Sequence, residues 1–316
     1  MLLAASGSAL LLYLSLLAFV KRWTKSYHVL TVVSLSSVWA NPYLALTSCG
    51  PLESLQRQAI ACASMHALGL YVRRKNPPAY ALSPRPSDAV LAFKLLTELR
   101  FESFSPTSVR AGARLEKFSE PAQLAVHIAI FAVLQCLPQV APVMAFGVLL
   151  AVYIIWTSLQ LVLRYQSSPA LFGPLYLADS IESFWTETWH NVFAAPCRNL
   201  AFEPTRRILR SAGLPDWAAR VAGVLAVFGF MGAFHVYTLT PVVSSKGLWR
   251  IWWFFFANGV LAVGERAYWR GAKSRLRTLL AWFLVTLLAS WTAAALDLPR
   301  GLSALRWEDL CYSRET

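Results

Sequence analysis

One histidine, His235, lies in the run Gly232-Ala233-Phe234-His235-Val236-Tyr237, inside a stretch that carries no charge. An ionisable side chain in hydrocarbon is costly, so it belongs in a bundle interior or a water-filled cavity. There it either serves a reaction or hydrogen-bonds across helices, and the sequence leaves both open. A second run, Asp179-Ser180-Ile181-Glu182-Ser183-Phe184-Trp185-Thr186-Glu187-Thr188-Trp189-His190-Asn191-Val192-Phe193, adds His190 and Asn191. At helical spacing Ile181, Phe184, Trp185, Trp189 and Val192 fall near one face. Such a pattern predicts a helix lying at a membrane surface with aromatic anchors. A third run, Trp252-Trp253-Phe254-Phe255-Phe256-Ala257-Asn258-Gly259, leads to Gly264-Glu265, an aromatic helix with a carboxylate at its end. His66 and His127 lie in apolar runs with no second unusual feature nearby and read as structural. His28 sits at the end of a run, where an interfacial place suffices.

These residues need membrane spans to hold them. Of the 316 residues 57% are hydrophobic and only 14% charged, against about 25% charged in soluble domains. Eight runs are candidate spans: 2–20, 28–46 (broken by Asn41-Pro42), 58–72, 122–137, 143–163, 222–240, 251–264 and 278–296. The basic residues fall between them. Clusters such as Lys21-Arg22, Arg73-Arg74-Lys75, Arg206-Arg207 and Arg266 to Arg277 follow odd-numbered runs, while the links after even-numbered runs carry few. That alternation predicts eight spans with the N-terminus outside. It also accounts for the net charge of +13 without nucleic acid as a partner, leaving phosphates and anionic membrane lipids as secondary ones. The apolar start, followed by Lys21-Arg22, reads as a retained first span rather than a cleaved signal.

The expected fold is therefore all-α: a polytopic bundle of about eight spans forming a single membrane domain over 1–316. Two longer segments, 73–121 and 164–216, are expected on the cytoplasmic or interfacial side. The first contains an amphipathic stretch, 87–100, which Ser87 and Asp88 are suited to cap; the second contains the Phe-Trp…Trp-His run. Cys49, Cys62, Cys136, Cys197 and Cys311 are scattered and odd in number. They read as buried small residues rather than a disulfide framework, with no metal-ligand spacing.

Taken in order, Ser180 with Phe184-Trp185 and Trp189-His190, then Gly232 with His235, then Phe254-Phe255 with Gly259 and Glu265, the chain resembles the wax-synthase-like branch of the membrane-bound O-acyltransferase superfamily. The likeness is greatest to fungal members that acylate terpenoids and other secondary metabolites. It reaches back to Ala92-Phe93-Lys94-Leu95-Leu96-Thr97-Glu98-Leu99-Arg100. Two departures stand out: Phe101-Glu102-Ser103 replaces a Gly-Ile-Gly turn, and Thr186-Glu187-Thr188 replaces a frequent basic pair.

The resemblance implies acyl transfer to a hydroxyl, with acyl-CoA, acetyl-CoA in particular, as co-substrate. A lipophilic alcohol such as a terpenoid is the implied acceptor, the endoplasmic reticulum the implied membrane, and no metal or permanently bound cofactor is implied. Long-chain wax-ester or sterol-ester synthesis is the nearest alternative; a small transporter or an inactive scaffold is the alternative of another class. A hydroxyl needs a base to take its proton, and buried neutral imidazole suits that task. His235 is the implied general base, worth about 100- to 10,000-fold. His190 or Asn191 would orient substrate or stabilise the oxyanion. Trp185, Trp189 and Arg198 are the candidate cofactor contacts. Arg198, Arg206, Arg207 and Arg210 suit phosphates, although the same charges also serve to hold their loop in the cytoplasm. His235 and His190 converge only if the segment around His190 dips into the bilayer.

Overall fold

The computed structural model describes residues 2–44, 49–98, 100–109, 119–163, 170–296 and 311. Arg110, Arg114, Lys117 and Arg164 of the expected basic loops, the end of the second run at 45–46, and the tail 312–316 lie outside them. Apart from turns and loops the described chain is helical, with two-residue strands β1 (Ala79–Tyr80) and β2 (Phe104–Ser105) paired antiparallel, Tyr80 opposite Phe104. Helices stand at all eight predicted spans: α1 (Leu2–Val20), α2 (Thr24–Leu44), α3 (Gly50–Val72), α5 (Glu120–Gln135), α6 (Ala141–Leu163), α10 (Asp216–Leu239), α11 (Ser245–Trp269) and α12 (Arg275–Ala293). Between them lie α4 (Asp88–Thr97), α7 (Ile181–Ser183), α8 (Ala194–Pro196) and α9 (Glu203–Ser211).

Among the described residues three stretches are long and apolar enough to cross a membrane: Ala141–Val162, Asp216–Leu239 and Arg275–Ala293. The chain is an integral membrane protein. Ser6–Val20 and Glu120–Gln135 are shorter apolar helices, while α3 carries Glu53 and Arg57, and α11 carries Lys246, Arg250, Glu265 and Arg266. The apolar flanks of the long helices face outward, as Val162, Leu279 and Phe283 do. Trp217, Trp249 and Tyr268 are exposed at helix ends, where amphipathic rings favour a membrane interface.

Several boundaries move from the sequence reading, each for a local reason. Helix α2 continues through Asn41-Pro42 to Leu44, because a proline in the last turn removes a single intrahelical bond. Helix α3 starts before residue 58. Pro51 occupies its first turn, where a missing N–H is harmless, and Arg57 pairs with Glu53 one turn away at 2.7 Å. Ser87 stands at the start of α4 as expected, but its side chain makes no capping bond. The cysteine reading also needs correction. Cys49 and Cys311 are joined as a disulfide, because the fold brings together residues 262 positions apart. Cys136 is exposed and Cys197 buried.

Helix α10 packs along α11, and α11 against α12, which also packs on α6. Helices α1 and α2 form a hairpin with α4 against α1, and α3 joins this half to α10. A core around Tyr153, Phe172, Phe193 and Phe234 lies where the two halves meet. His66 and His127 serve packing, as expected. His66 bonds the Leu95 carbonyl and stacks on Phe101, while His127 bonds the Gln123 carbonyl and stacks on Tyr153.

Candidate active site

Helices α10 and α11 can approach closely because each offers a glycine at the contact. A Cβ on Gly259 would lie 2.8 Å from the Phe228 ring, and one on Gly232 would lie 2.9 Å from the Trp252 ring and 3.2 Å from its carbonyl oxygen. Small residues at helix contacts in membranes have this effect. The approach brings Phe255 of α11 onto His235 of α10, the rings stacked with centroids 4.2 Å apart. The His235 Nδ1 lies 2.8 Å from the Met231 carbonyl oxygen one turn earlier. A carbonyl only accepts, so the proton of this bond sits on Nδ1 and Nε2 carries the lone pair.

The run from Asp179 to Phe193 is not the continuous surface helix that its periodicity predicts. Helix α7 spans three residues, and the backbone widens into a π turn over Phe184–Thr188. It leaves helical geometry at Trp189, whose φ and ψ are −71° and 157°. Such π turns recur at functional sites. Tertiary contacts override local helix preference here. The Ser180 hydroxyl accepts from the Ser183 N–H at 3.0 Å, and the Ser183 hydroxyl oxygen accepts from the Ser180 N–H at 3.1 Å. Glu265 at the end of α11 accepts from the N–H groups of Ile181 and Glu182 at 3.2 and 3.1 Å. Arg277 of α12 stands 3.2 Å from the same carboxylate, both side chains being buried. The Trp185 indole N–H donates to Asn258 Oδ1, and that of Trp282 donates to the Ala178 carbonyl. Partial burial would raise the Asp179 carboxyl, but hydrogen bonds from Ser183 and Lys273 and the Lys273 charge hold it below the usual carboxylate range.

With the run clamped in this way, the aromatic residues close a circuit. His190 meets Phe193, Phe193 meets Phe234, and Phe234 meets His235, with ring centroids 5.9, 5.0 and 5.1 Å apart. On the other side Phe255 meets Trp185, Trp185 meets Trp189, and Trp189 meets His190, at 5.7, 6.3 and 5.3 Å. Both histidines therefore belong to one aromatic cage, linked on one side through Phe193 and Phe234. His190, Trp185, Trp189 and His235 all lie in this circuit of ring contacts.

Asn191 stands behind the cage, its amide donating to the Ser108 carbonyl at 2.7 Å and accepting from Arg100 at 3.4 Å. Arg100 is itself buried and also donates to Glu102 and to the Ala170 carbonyl. Arg198 is exposed, 3.8 Å from Glu203. Partial burial, and then the Arg198 charge, lower Arg73 from the usual arginine value, which places two cations in each other's field. Burial pushes the Cys197 thiol up to about 12, so it stays protonated and is a poor nucleophile. Among the described residues no group of three His, Cys, Asp or Glu side chains could hold a metal.

Sequence reasoning missed Arg100, Asn258 and Arg277 as parts of the site. Arg277 sits among cations that the charge alternation explained as a loop. Asn258, inside an aromatic run, was the legible signal: a buried amide needs a partner.

Residues 168–257 match the membrane bound O-acyl transferase family. That stretch contains both cage histidines. Two Arabidopsis thaliana proteins provisionally named long-chain-alcohol O-fatty-acyltransferases 10 and 7 are 29% and 27% identical over 132 and 145 residues. The aligned parts cover 40% and 45% of this chain, and 39% and 42% of those relatives. The Arabidopsis acyl-CoA–sterol O-acyltransferase 1 is 25% identical over 106 residues, 34% of this chain and 30% of that relative. The alignments thus span less than half the length of these curated relatives. No solved structure matches the chain.

Proposed function

We propose that the chain is an acyl-CoA-dependent O-acyltransferase that esterifies a lipophilic alcohol in the membrane, with His235 as general base. The observation that carries this reading is the His235 Nδ1 bond to the Met231 carbonyl, which leaves Nε2 to accept a proton inside an apolar cage. The acceptor hydroxyl gives its proton to Nε2 as its oxygen attacks the thioester carbonyl. The carbon–sulfur bond then breaks, and the departing thiolate takes that proton, releasing ester and free CoA. His190, across the cage, orients the substrates or donates to the oxyanion. Asn191, through Arg100 and Ser108, acts by positioning His190. Trp185 and Trp189 form the wall against the donor, and Arg198 with Arg73 faces its phosphates.

The names of the plant relatives favour a fatty acyl-CoA donor with a long-chain alcohol or sterol acceptor. Acetyl-CoA with a terpenoid is the pair that the likeness to fungal enzymes implies. We place the protein in the endoplasmic reticulum with eight spans and its N-terminus outside. In that arrangement Cys49 and Cys311, which form a disulfide, both follow even-numbered spans and share the lumen, where disulfides persist.

The test uses microsomes holding wild type or His235→Ala in equal amounts. Each receives radiolabelled acetyl-CoA or palmitoyl-CoA with fatty, sterol and terpenoid alcohols, and labelled esters are counted. Wild type forms ester, and the variant loses about 100-fold or more. The productive pair names the substrates. Equal activity in both removes His235 as base, and absence of ester with every pair turns the reading toward a scaffold or transporter.

A further inference from the structure

A cavity system lies wholly outside residues 168–257. A cleft of about 760 Å³ opens between the α1–α2 turn, the end of α3 and β1, a size typical of ligand sites. Arg22, Arg74, Lys75 and Arg85 line it with no carboxylate; Asp88, beside it, stands 3.6 Å from Arg85. Trp23 and Tyr80 supply apolar faces between the cations. Two features aim the charges. Arg74 is held over the Tyr71 ring at 4.6 Å, with one N–H donating to the Tyr71 carbonyl. Arg22 has φ of 58°, a left-handed backbone that arginine adopts at a cost and that is often kept where function needs it.

A smaller chamber of about 190 Å³ adjoins the cleft at Tyr27, which borders both. Leu12, Leu16, Ala67 and Leu96 line the chamber. Most of its polar groups are occupied: Ser15 and Thr31 are hydrogen-bonded at 2.9 Å, Thr31 donates to the Tyr27 carbonyl, and His66 bonds the Leu95 carbonyl. The chamber therefore offers mainly hydrocarbon. A basic cleft beside an apolar chamber, with Tyr27 between them, suits an anionic head joined to a hydrocarbon chain.

We infer that cleft and chamber bind a phosphate-headed amphiphile. Its phosphate lies against Arg22, Arg74 and Lys75, and the adjoining chain passes Tyr27. Guanidinium groups hold phosphate oxygens by charge-assisted hydrogen bonds. A fatty acyl-CoA and an anionic phospholipid share this chemistry. The inference stands apart from the acyltransferase reading, since none of these residues touches the histidine cage.

The experiment uses the full chain in phosphatidylcholine nanodiscs with two photoreactive probes, a diazirine phosphatidic acid and a diazirine acyl-CoA. Labelled peptides are mapped, and labelling is titrated for wild type, Arg22→Gly, Arg74→Gln and the pair. Label falls within residues 12–31 or 63–104, and each substitution weakens probe binding about tenfold. Glycine accepts the positive φ, so Arg22→Gly keeps the fold, which its melting temperature confirms. Displacement by CoA but not phosphatidic acid identifies a CoA-headed occupant; the reverse identifies a lipid. Label mapping elsewhere, or equal binding by the double variant, overturns the inference. His235→Ala binds both probes at this cleft as wild type does, so failure here and failure of the base assignment are separable.

Discussion

The two cage histidines are held in opposite ways. His235 rides on an unbroken helix, and its own preceding turn supplies the Met231 carbonyl that fixes its ring. His190 follows a π turn and extended backbone, and beyond the local Ser180–Ser183 bonds its segment is fixed from far away in sequence: Glu265, Asn258 and Thr278 on α11 and α12, Arg100 and Ser108 on the preceding loop. A proton acceptor needs a set tautomer, which one local bond provides. A group on the opposite wall needs a set place, which only several long-range bonds provide. The His190 side is therefore the part of the cage that mutation can loosen on its own.

The largest test of this contrast is Glu265→Ala. It removes the carboxylate that caps Ile181 and Glu182 and strands the buried Arg277 charge, a loss of about 3–5 kcal/mol. Hydrogen exchange should rise across 170–193 while the middle of α10 stays protected. Equal loosening of both would erase the distinction. Asn191→Ala is milder. It removes two hydrogen bonds worth about 1 kcal/mol each, loosening the 100–109 loop and lowering turnover with little change in acceptor KM. A raised KM with an unchanged loop would instead make Asn191 a substrate contact.

The smallest effect is with pH. The Asp179 carboxyl titrates below its unfolded value of about 3.9, so its contribution is complete above that value and fades as pH falls through the folded one. Pepsin should cut 170–193 increasingly as pH drops below about 4, and Lys273→Gln should shift the onset of cutting upward. Cutting that is independent of pH across this window would show that Asp179 contributes nothing to the clamp.

Much of the fold is legible because hydrocarbon demands internal hydrogen bonding: each apolar run became a helix, and the runs lie where composition put them. His235 is legible for the same reason, as an ionisable group in an uncharged stretch. The Asp179–Phe193 run misleads because its apolar spacing fits a helix, whereas the Glu265 cap and the Trp185–Asn258 bond hold it in a wider turn. Arg277 misleads because a cation after an odd-numbered span satisfies the charge rule whether or not it is buried.

By itself the sequence determined a helical membrane protein, the positions of its helices, and the ordered residues that carry likeness to O-acyltransferases. Tertiary structure decided which of those residues meet. It set Phe255 on His235 through two glycines, bent the His190 segment inward, joined Cys49 to Cys311, and gathered Arg22 and Arg74 at one cleft. Helix formation follows from interactions within a few residues and the surrounding solvent, so it can be read locally. The cage and the cleft depend on contacts across scores of residues, and those exist only after the helices have packed.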